Sequence, residues 1–136
     1  MNPLETINHF YSVDHELSLE GSQIGIENGY NISEKLIDPI IDNKIEILEM
    51  LNRDRKAKNT GLIVGISGTI YLWTVSRFSN AYMEYWNGEW IAWRESYKYG
   101  KQESTSHKFI ARGNTFDYVL LEFKKYIDYV SRKRGQ

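Results

Sequence analysis

The sequence predicts an α+β domain, in which an antiparallel β-meander over about residues 62–111 is flanked by helices near 39–55 and 115–131. Three observations carry this prediction. Residues 61–100 hold all four tryptophans and are rich in β-branched and aromatic side chains, which favour strands. Gly, Ser and Asn interrupt this stretch at intervals typical of short antiparallel strands. The segments on either side instead repeat apolar residues at helical spacing.

The first thirty residues carry weaker signals. Residues 2–12 are compatible with a short helix, because Pro3 is acceptable in a first turn. Residues 16–30 alternate leucine and isoleucine with polar residues around a Gly-Ser pair, which predicts a hairpin.

The first long helix is predicted to start at Ser33 or, with the sharper signal, at Asp38, and to end near Arg55. Asp is a good N-cap, and Pro39 would then occupy the first helical position. Apolar residues at helical spacing are predicted to form its buried stripe: Ile40, Ile41, Ile45, Leu48 and Leu51. The opposite side carries three acidic residues, Asp42, Glu46 and Glu49.

Asn87-Gly88 is the strongest local signal in the chain. A two-residue type I′ turn needs positive φ at both central positions, and Asn-Gly tolerates this best. The turn predicts a register that pairs Trp86 with Glu89 and Tyr82 with Trp93. Alternation then places aromatic residues on both faces of the hairpin, Met83, Tyr85, Trp90 and Ala92 on one and Tyr82, Trp86, Ile91 and Trp93 on the other.

A small antiparallel sheet usually buries one face only. The second aromatic face is therefore either covered by another segment of the chain or exposed to a partner. The strands of the meander are predicted at Leu62–Ile66, Thr69–Val75, Ala81–Trp86, Glu89–Glu95 and about 106–111. Asn114-Thr115 caps the final helix.

Length and composition predict a single domain over residues 1–136. The chain has no cysteine, which excludes disulfides, a thiolate nucleophile and a thiolate zinc site. It shows neither the charged and apolar regions of a secretory signal nor a run of about 18 apolar residues that a membrane span requires. We therefore expect a cytoplasmic protein that does not engage the membrane.

Charge is distributed unevenly along the chain. Residues 1–50 hold ten acidic residues against two lysines, a net charge of −8, whereas residues 51–136 hold fifteen basic residues against eight acidic ones, a net charge of +7. Such asymmetry bears on the choice of partner and on association rate.

The sequence contains no recognisable catalytic, metal or cofactor motif. The glycines within residues 61–68 lack the Lys and Ser/Thr of a phosphate-binding loop, and the three histidines stand outside known metal spacings. We therefore expect no enzymatic activity, no metal and no cofactor. A small hydrolase remains an alternative if His15 or His107 lies beside a carboxylate or a serine.

A second alternative is a binding module for a small ligand or a nucleic acid. Such a module would use Arg94, Lys98 and Lys101, which are interleaved with tyrosines that could stack on bases. The acidity of the whole chain and the lack of a known nucleic-acid-binding pattern argue against nucleic acid.

In its order of helix, Trp- and Tyr-rich meander and helix, and in its small size and lack of cysteine, the chain resembles the immunity proteins of bacterial polymorphic-toxin and contact-dependent inhibition systems. The resemblance is one of architecture and covers the whole chain. It implies a non-enzymatic cytoplasmic inhibitor that binds and neutralises a cognate toxin, often a nuclease with a basic surface. Acidic residues would then steer association and aromatic residues would anchor the complex. The predicted contacts are Asp42, Glu46, Glu49, Trp86, Trp93 and Arg94.

Overall fold

The computed structural model describes residues 1–30, 32–98 and 104–134. These residues fall into two compact units, Met1–Lys56 and Ala57–Gln136. Each unit has a hydrophobic core of its own. The predicted α+β class is confirmed, since the described residues form four helices and two antiparallel sheets.

The first unit begins with a helix and a hairpin, as predicted. Helix α1 spans Pro3–Ser12, and strands β1 (Leu17–Glu20) and β2 (Gln23–Ile26) pair antiparallel. Asn2 caps α1. The backbone N–H of Glu5 donates to the Asn2 side-chain oxygen at 2.8 Å, and the backbone N–H of Asn2 donates to the Glu5 carboxylate at 3.3 Å. This reciprocal capping box satisfies two donors that the first turn would otherwise leave unpaired.

The predicted continuous helix from Asp38 is wrong in two respects. Helix α2 spans Glu34–Asp42 and follows Ser33, the other predicted start, so that Pro39 lies inside the helix. The chain then breaks at Asn43, and helix α3 spans Lys44–Thr60. A proline in a helix interior removes a backbone hydrogen bond, which favours a short helix and a nearby break.

Asn43 occupies that break. Its amide nitrogen Nδ2 donates to the Pro39 carbonyl at 2.8 Å and to the Met1 carbonyl at 3.0 Å. Its own carbonyl accepts from the Ile47 amide at 2.9 Å, the first bond of the next helix. One residue therefore ends α2 and begins α3.

The break at Asn43 also changes which side chains are buried. Ile40 and Leu51 lie in the core as predicted, but Ile41 and Ile45 are 64% and 70% exposed. The predicted stripe assumed one uninterrupted helix, and the break shifts the apolar pattern so that Ile47 is buried instead.

The second unit is the predicted meander followed by a helix. Its strands are β3 (Ile63–Ile66), β4 (Ile70–Ser76), β5 (Ser79–Trp86), β6 (Glu89–Tyr97) and β7 (Ser104–Gly113). They form one antiparallel sheet in the order β3-β4-β5-β6-β7, and helix α4 spans Phe116–Arg134. The register predicted for β5 and β6 is confirmed at each position from Ala81–Arg94 to Trp86–Glu89.

One face of this sheet packs against α4. Tyr71, Met83 and Ala92 on the sheet are fully buried, as is Phe123 on the helix. The Trp90 ring meets the Phe116 ring edge-on at 5.0 Å between centroids. These contacts account for one of the two aromatic faces that the sequence predicts.

Candidate functional site

The other face of the five-stranded sheet, which we call the outer face, presents apolar side chains to solvent. Alternation along each strand directs them away from the core residues of the same strands. Its apolar members are Ile63, Ile66, Ile70, Leu72, Tyr82, Trp86, Ile91, Trp93 and Phe109. Ile63, Trp86 and Phe109 are 56%, 64% and 60% exposed. The sequence leaves open whether this face is covered by another segment of the chain or exposed. In the structure these three side chains are exposed.

A groove of about 440 Å³ crosses the outer face where β5, β6 and β7 lie side by side. Its apolar lining comes from Trp86, Ile91, Trp93 and Phe109, and Glu84, His107 and Lys108 supply the polar lining. Trp93 lies at the centre of β6, opposite Phe109 on β7. The groove is therefore mostly apolar and carries both signs of charge at its margin.

Neighbouring aromatic and polar groups fix the orientation of Trp93. Its ring stacks on Tyr82 at 5.4 Å between centroids with an angle of 26° between the planes. Its indole N–H donates to Oε1 of Glu95 at 3.3 Å. A ring held in this way loses little conformational entropy when a partner covers it.

Glu95 organises the polar end of the outer face. Its carboxylate accepts from the Tyr97 hydroxyl at 2.6 Å, and Nε2 of His107 lies 3.4 Å from Oε1. The Tyr97 hydroxyl in turn accepts from the Tyr82 hydroxyl at 3.4 Å. We call Tyr82, Trp93, Glu95, Tyr97 and His107 the Glu95 cluster.

Hydrogen bonding in this cluster shifts two pKa values in opposite directions. The bond from Tyr97, followed by the Trp93 bond and the adjacent His107, lowers the pKa of Glu95 against the opposing effect of burial. The same bond to Glu95 is the main cause that raises the pKa of Tyr97. Glu95 is therefore an ionised acceptor and Tyr97 a neutral donor at neutral pH.

The structure brings Trp86 and Trp93 together on the outer face, but it does not bring Arg94 to them. Because Arg94 follows Trp93 on the same strand, its side chain lies on the opposite face. There its guanidinium donates to the Ser79 hydroxyl and, at 2.9 Å, to the Tyr126 hydroxyl of α4.

The predicted acidic contacts belong to the other unit. Asp42 is the last residue of α2, and Glu46 and Glu49 lie in α3. All three side chains are exposed. They remain predicted contacts on the Met1–Lys56 unit.

Both histidines of the hydrolase alternative lie beside an oxygen atom of another residue. Nδ1 of His15 lies 3.0 Å from the Glu27 carbonyl oxygen, whereas His107 lies beside the Glu95 carboxylate, as the hydrolase alternative requires of one histidine. Lys98 is exposed at the end of β6, and Lys101 lies outside the described residues.

The predicted partner contacts do not include Phe109, and of the Glu95 cluster they include Trp93 alone. Residues 98–105 contain no turn signal that would set the register of β7 against β6, unlike Asn87-Gly88. A register shift between Ala92 and Trp93 further changes which β7 residues share a face. The composition of residues 106–111 predicts the strand but gives no means of placing Phe109 opposite Trp93.

Within residues 1–30, 32–98 and 104–134, no three His, Asp or Glu side chains are grouped to hold a metal ion. Over the same residues, no helix combines the length and apolar character needed to cross a bilayer.

Comparison with known protein families, with curated protein sequences and with solved structures finds no match to this chain.

Proposed function

We propose that this chain is a non-enzymatic binding protein whose outer face docks on another protein, and that this partner is a cognate bacterial toxin which it neutralises in the cytoplasm. The observation that carries the proposal is the exposed aromatic groove around Trp86, Trp93 and Phe109. The identity of the partner follows from the resemblance to immunity proteins.

The composition of the groove favours a protein partner. Tryptophan, tyrosine and arginine are the residues that most often dominate binding energy at protein interfaces. Trp86 and Phe109 expose more than half of their surface, and the rigid Trp93 lies between them on the sheet. Exposed apolar patches with a polar rim mark interaction surfaces in soluble proteins. Glu84, Glu95 and His107 provide such a rim.

The acidic residues of the first unit supply a second element of the proposal. Residues 1–56 hold eleven acidic and five basic residues, so the Met1–Lys56 unit has a net charge of −6. A basic toxin such as a nuclease would be attracted to this unit before close contact forms. Asp42, Glu46 and Glu49 are exposed and suited to that role.

The experiment begins with affinity purification of tagged protein from the native cell and identification of the co-purifying protein. We then expect Trp86→Ala and Phe109→Ala each to weaken the affinity for that protein by about tenfold or more, because central aromatic contacts contribute more than about 1.4 kcal/mol. Tyr118→Ala is the matched control, since Tyr118 is 52% exposed on α4. Unchanged affinity in both outer-face variants, with the partner still bound, would contradict the proposal.

The steering role has its own measurement. Reversal of Asp42, Glu46 and Glu49 to lysine is expected to slow association with the partner and to reduce its dependence on salt, with a smaller effect on dissociation. Stopped-flow association at low and physiological salt distinguishes these rates. If the association rate and its salt dependence stay unchanged, the acidic residues have no part in binding.

A further inference from the structure

A second cavity lies on the other side of the sheet, between the end of α4 and strands β4, β6 and β7. It has a volume of about 300 Å³. Four cations line it, Arg94, Lys108, Lys133 and Arg134, together with Ser76, Tyr126 and Tyr129 and an apolar base of Val75 and Val130. None of the described residues that line it is acidic. We call it the basic cleft.

Arg94 is the most informative residue of the basic cleft. Its side chain is half-buried, and its guanidinium donates to two hydroxyl groups, those of Ser79 and Tyr126. Among the residues that the structure describes, no carboxylate forms an ion pair with it. Hydroxyl groups orient a charge without neutralising it, so the half-buried guanidinium keeps its full positive charge. The arrangement therefore holds an oriented guanidinium that is suited to an external anion.

Aromatic rings hold two of the other cations near Arg94. Nζ of Lys108 lies 5.8 Å from the centre of the Tyr126 ring, and Nζ of Lys133 lies 4.9 Å from the centre of the Tyr129 ring. Cation–π contacts of this kind position an ammonium group and leave its full positive charge in place. Tyr126 contacts both Arg94 and Lys108. Its hydroxyl accepts a hydrogen bond from Arg94, and its ring faces Nζ of Lys108.

The chemistry of the basic cleft fits phosphate. A guanidinium offers a planar fork that matches two phosphate oxygens, and lysines act as point charges around it. Four positive charges in one cleft exceed what a single carboxylate needs. The volume lies at the lower end of the range for small-ligand sites and suits a phosphate chain better than a large ring system.

We propose that the basic cleft binds a phosphorylated small molecule with at least two negative charges, such as a di- or triphosphate. Arg94 would bind the phosphate oxygens in a fixed orientation, and Lys108, Lys133 and Arg134 would neutralise the remaining charge. Arg94 lies on the side of the sheet across from the outer face, whereas Lys108 lines both the basic cleft and the groove. The proposal does not rest on the one for the outer face, because it needs no protein partner. Either can fail without the other.

Calorimetric titration of the full chain with sodium pyrophosphate and with inorganic phosphate tests the proposal. At physiological salt we expect saturable binding of one pyrophosphate, with phosphate binding more weakly. Lys108→Gln and Lys133→Gln are each expected to weaken pyrophosphate binding by about tenfold, because each removes a charge-assisted contact. Both side chains are exposed, which makes loss of folding a poor explanation for an effect.

Two further variants complete the test. Lys124→Gln removes the same charge from an exposed residue of α4 that does not line the cleft, and it should leave binding unchanged. Arg94→Lys keeps the charge but loses the planar fork, and it should weaken pyrophosphate binding in a protein whose circular dichroism is unaltered.

Three results would overturn the proposal. One is the lack of saturable binding by either probe up to about 10 mM, a concentration that corresponds to negligible affinity. Another is an equal loss of binding in Lys124→Gln, which would indicate a general charge effect. The third is a short single-stranded oligonucleotide that binds more tightly than pyrophosphate and loses its affinity steeply with salt, since this would assign the cations to nucleic-acid backbone contact.

Discussion

At the scale of single residues, Glu95 links the polar and aromatic parts of the outer face. Its carboxylate accepts hydrogen bonds from the Tyr97 hydroxyl and the Trp93 indole N–H, and it lies beside His107. Because these groups interact with the ionised form, they lower the pKa of Glu95 in the folded protein. An ionised Glu95 therefore stabilises the fold and keeps the Trp93 ring in position for a partner.

The pH dependence of stability tests this role. A folded-state pKa below the unfolded-state pKa gives a stabilisation that is present above the unfolded value and is lost as pH falls through the folded value. We expect Glu95→Gln to reduce the free energy of unfolding by about 1 kcal/mol at neutral pH. The difference from the unmodified protein should shrink as pH falls below about 4.3, the ordinary pKa of a glutamate, and on through the lowered folded-state pKa.

Urea unfolding followed by tryptophan fluorescence at pH 7 and at pH 3 gives the measurement. Glu122→Gln serves as the control, since Glu122 forms an i, i+3 pair with Lys125 on the surface of α4 and such pairs contribute little. A destabilisation by Glu95→Gln that is equally large at pH 7 and pH 3 would contradict the assigned role of the charge.

The candidate site was predictable from the sequence only where a turn fixed the register. Asn87-Gly88 placed Trp86 and Trp93 on one face, and the structure has them there. The predicted contacts also include Arg94, which follows Trp93 in sequence, but neighbouring residues of a strand lie on opposite faces. Phe109 and His107 come from a strand whose pairing no local signal sets.

At the scale of elements, the hairpin of β5 and β6 shows how a two-residue signal can specify a large part of a fold. Asn87 and Gly88 have φ angles of 51° and 86°, both in the left-handed region.

The region of helices α2 and α3 has no comparable local signal for its break. The break lies at Asn43, whose side chain donates to the Met1 carbonyl, 42 residues away, and a contact over that distance leaves no local pattern.

The turn yields a prediction for stability. We expect Gly88→Ala to lower the free energy of unfolding by about 1 to 2 kcal/mol, because an L-residue with a Cβ is strained at this φ. No atom beyond the two neighbouring residues lies within 4 Å of the place that the new Cβ would occupy, so the cost is one of backbone conformation. Asn87→Gly should be tolerated by comparison, since glycine adopts positive φ freely. Urea midpoints for the two variants give the comparison, and equal stability of Gly88→Ala and the unmodified protein would contradict the assignment of the turn.

At the scale of the whole molecule, the two units differ in both charge and core. The Met1–Lys56 unit has a net charge of −6, and residues 57–136 hold twelve basic and seven acidic residues, a net charge of +5. Their buried clusters share no residue, one being formed around Phe10 and Ile47 and the other around Tyr71 and Phe123. The single domain that length predicts over residues 1–136 remains a prediction. Because the two cores share no residue, we expect the second unit to fold without the first.

We expect a fragment of residues 57–136 to fold by itself. It contains the whole five-stranded sheet, α4 and a complete buried cluster. Its length of about 80 residues exceeds that of many domains that fold alone. All four tryptophans lie in this fragment, so fluorescence reports on its core directly. The expected result is a cooperative urea transition and dispersed amide resonances that match those of the same residues in the full chain. A fragment without a cooperative transition would show that residues 1–56 are needed for the sheet to fold, as one cooperative domain over the whole chain requires.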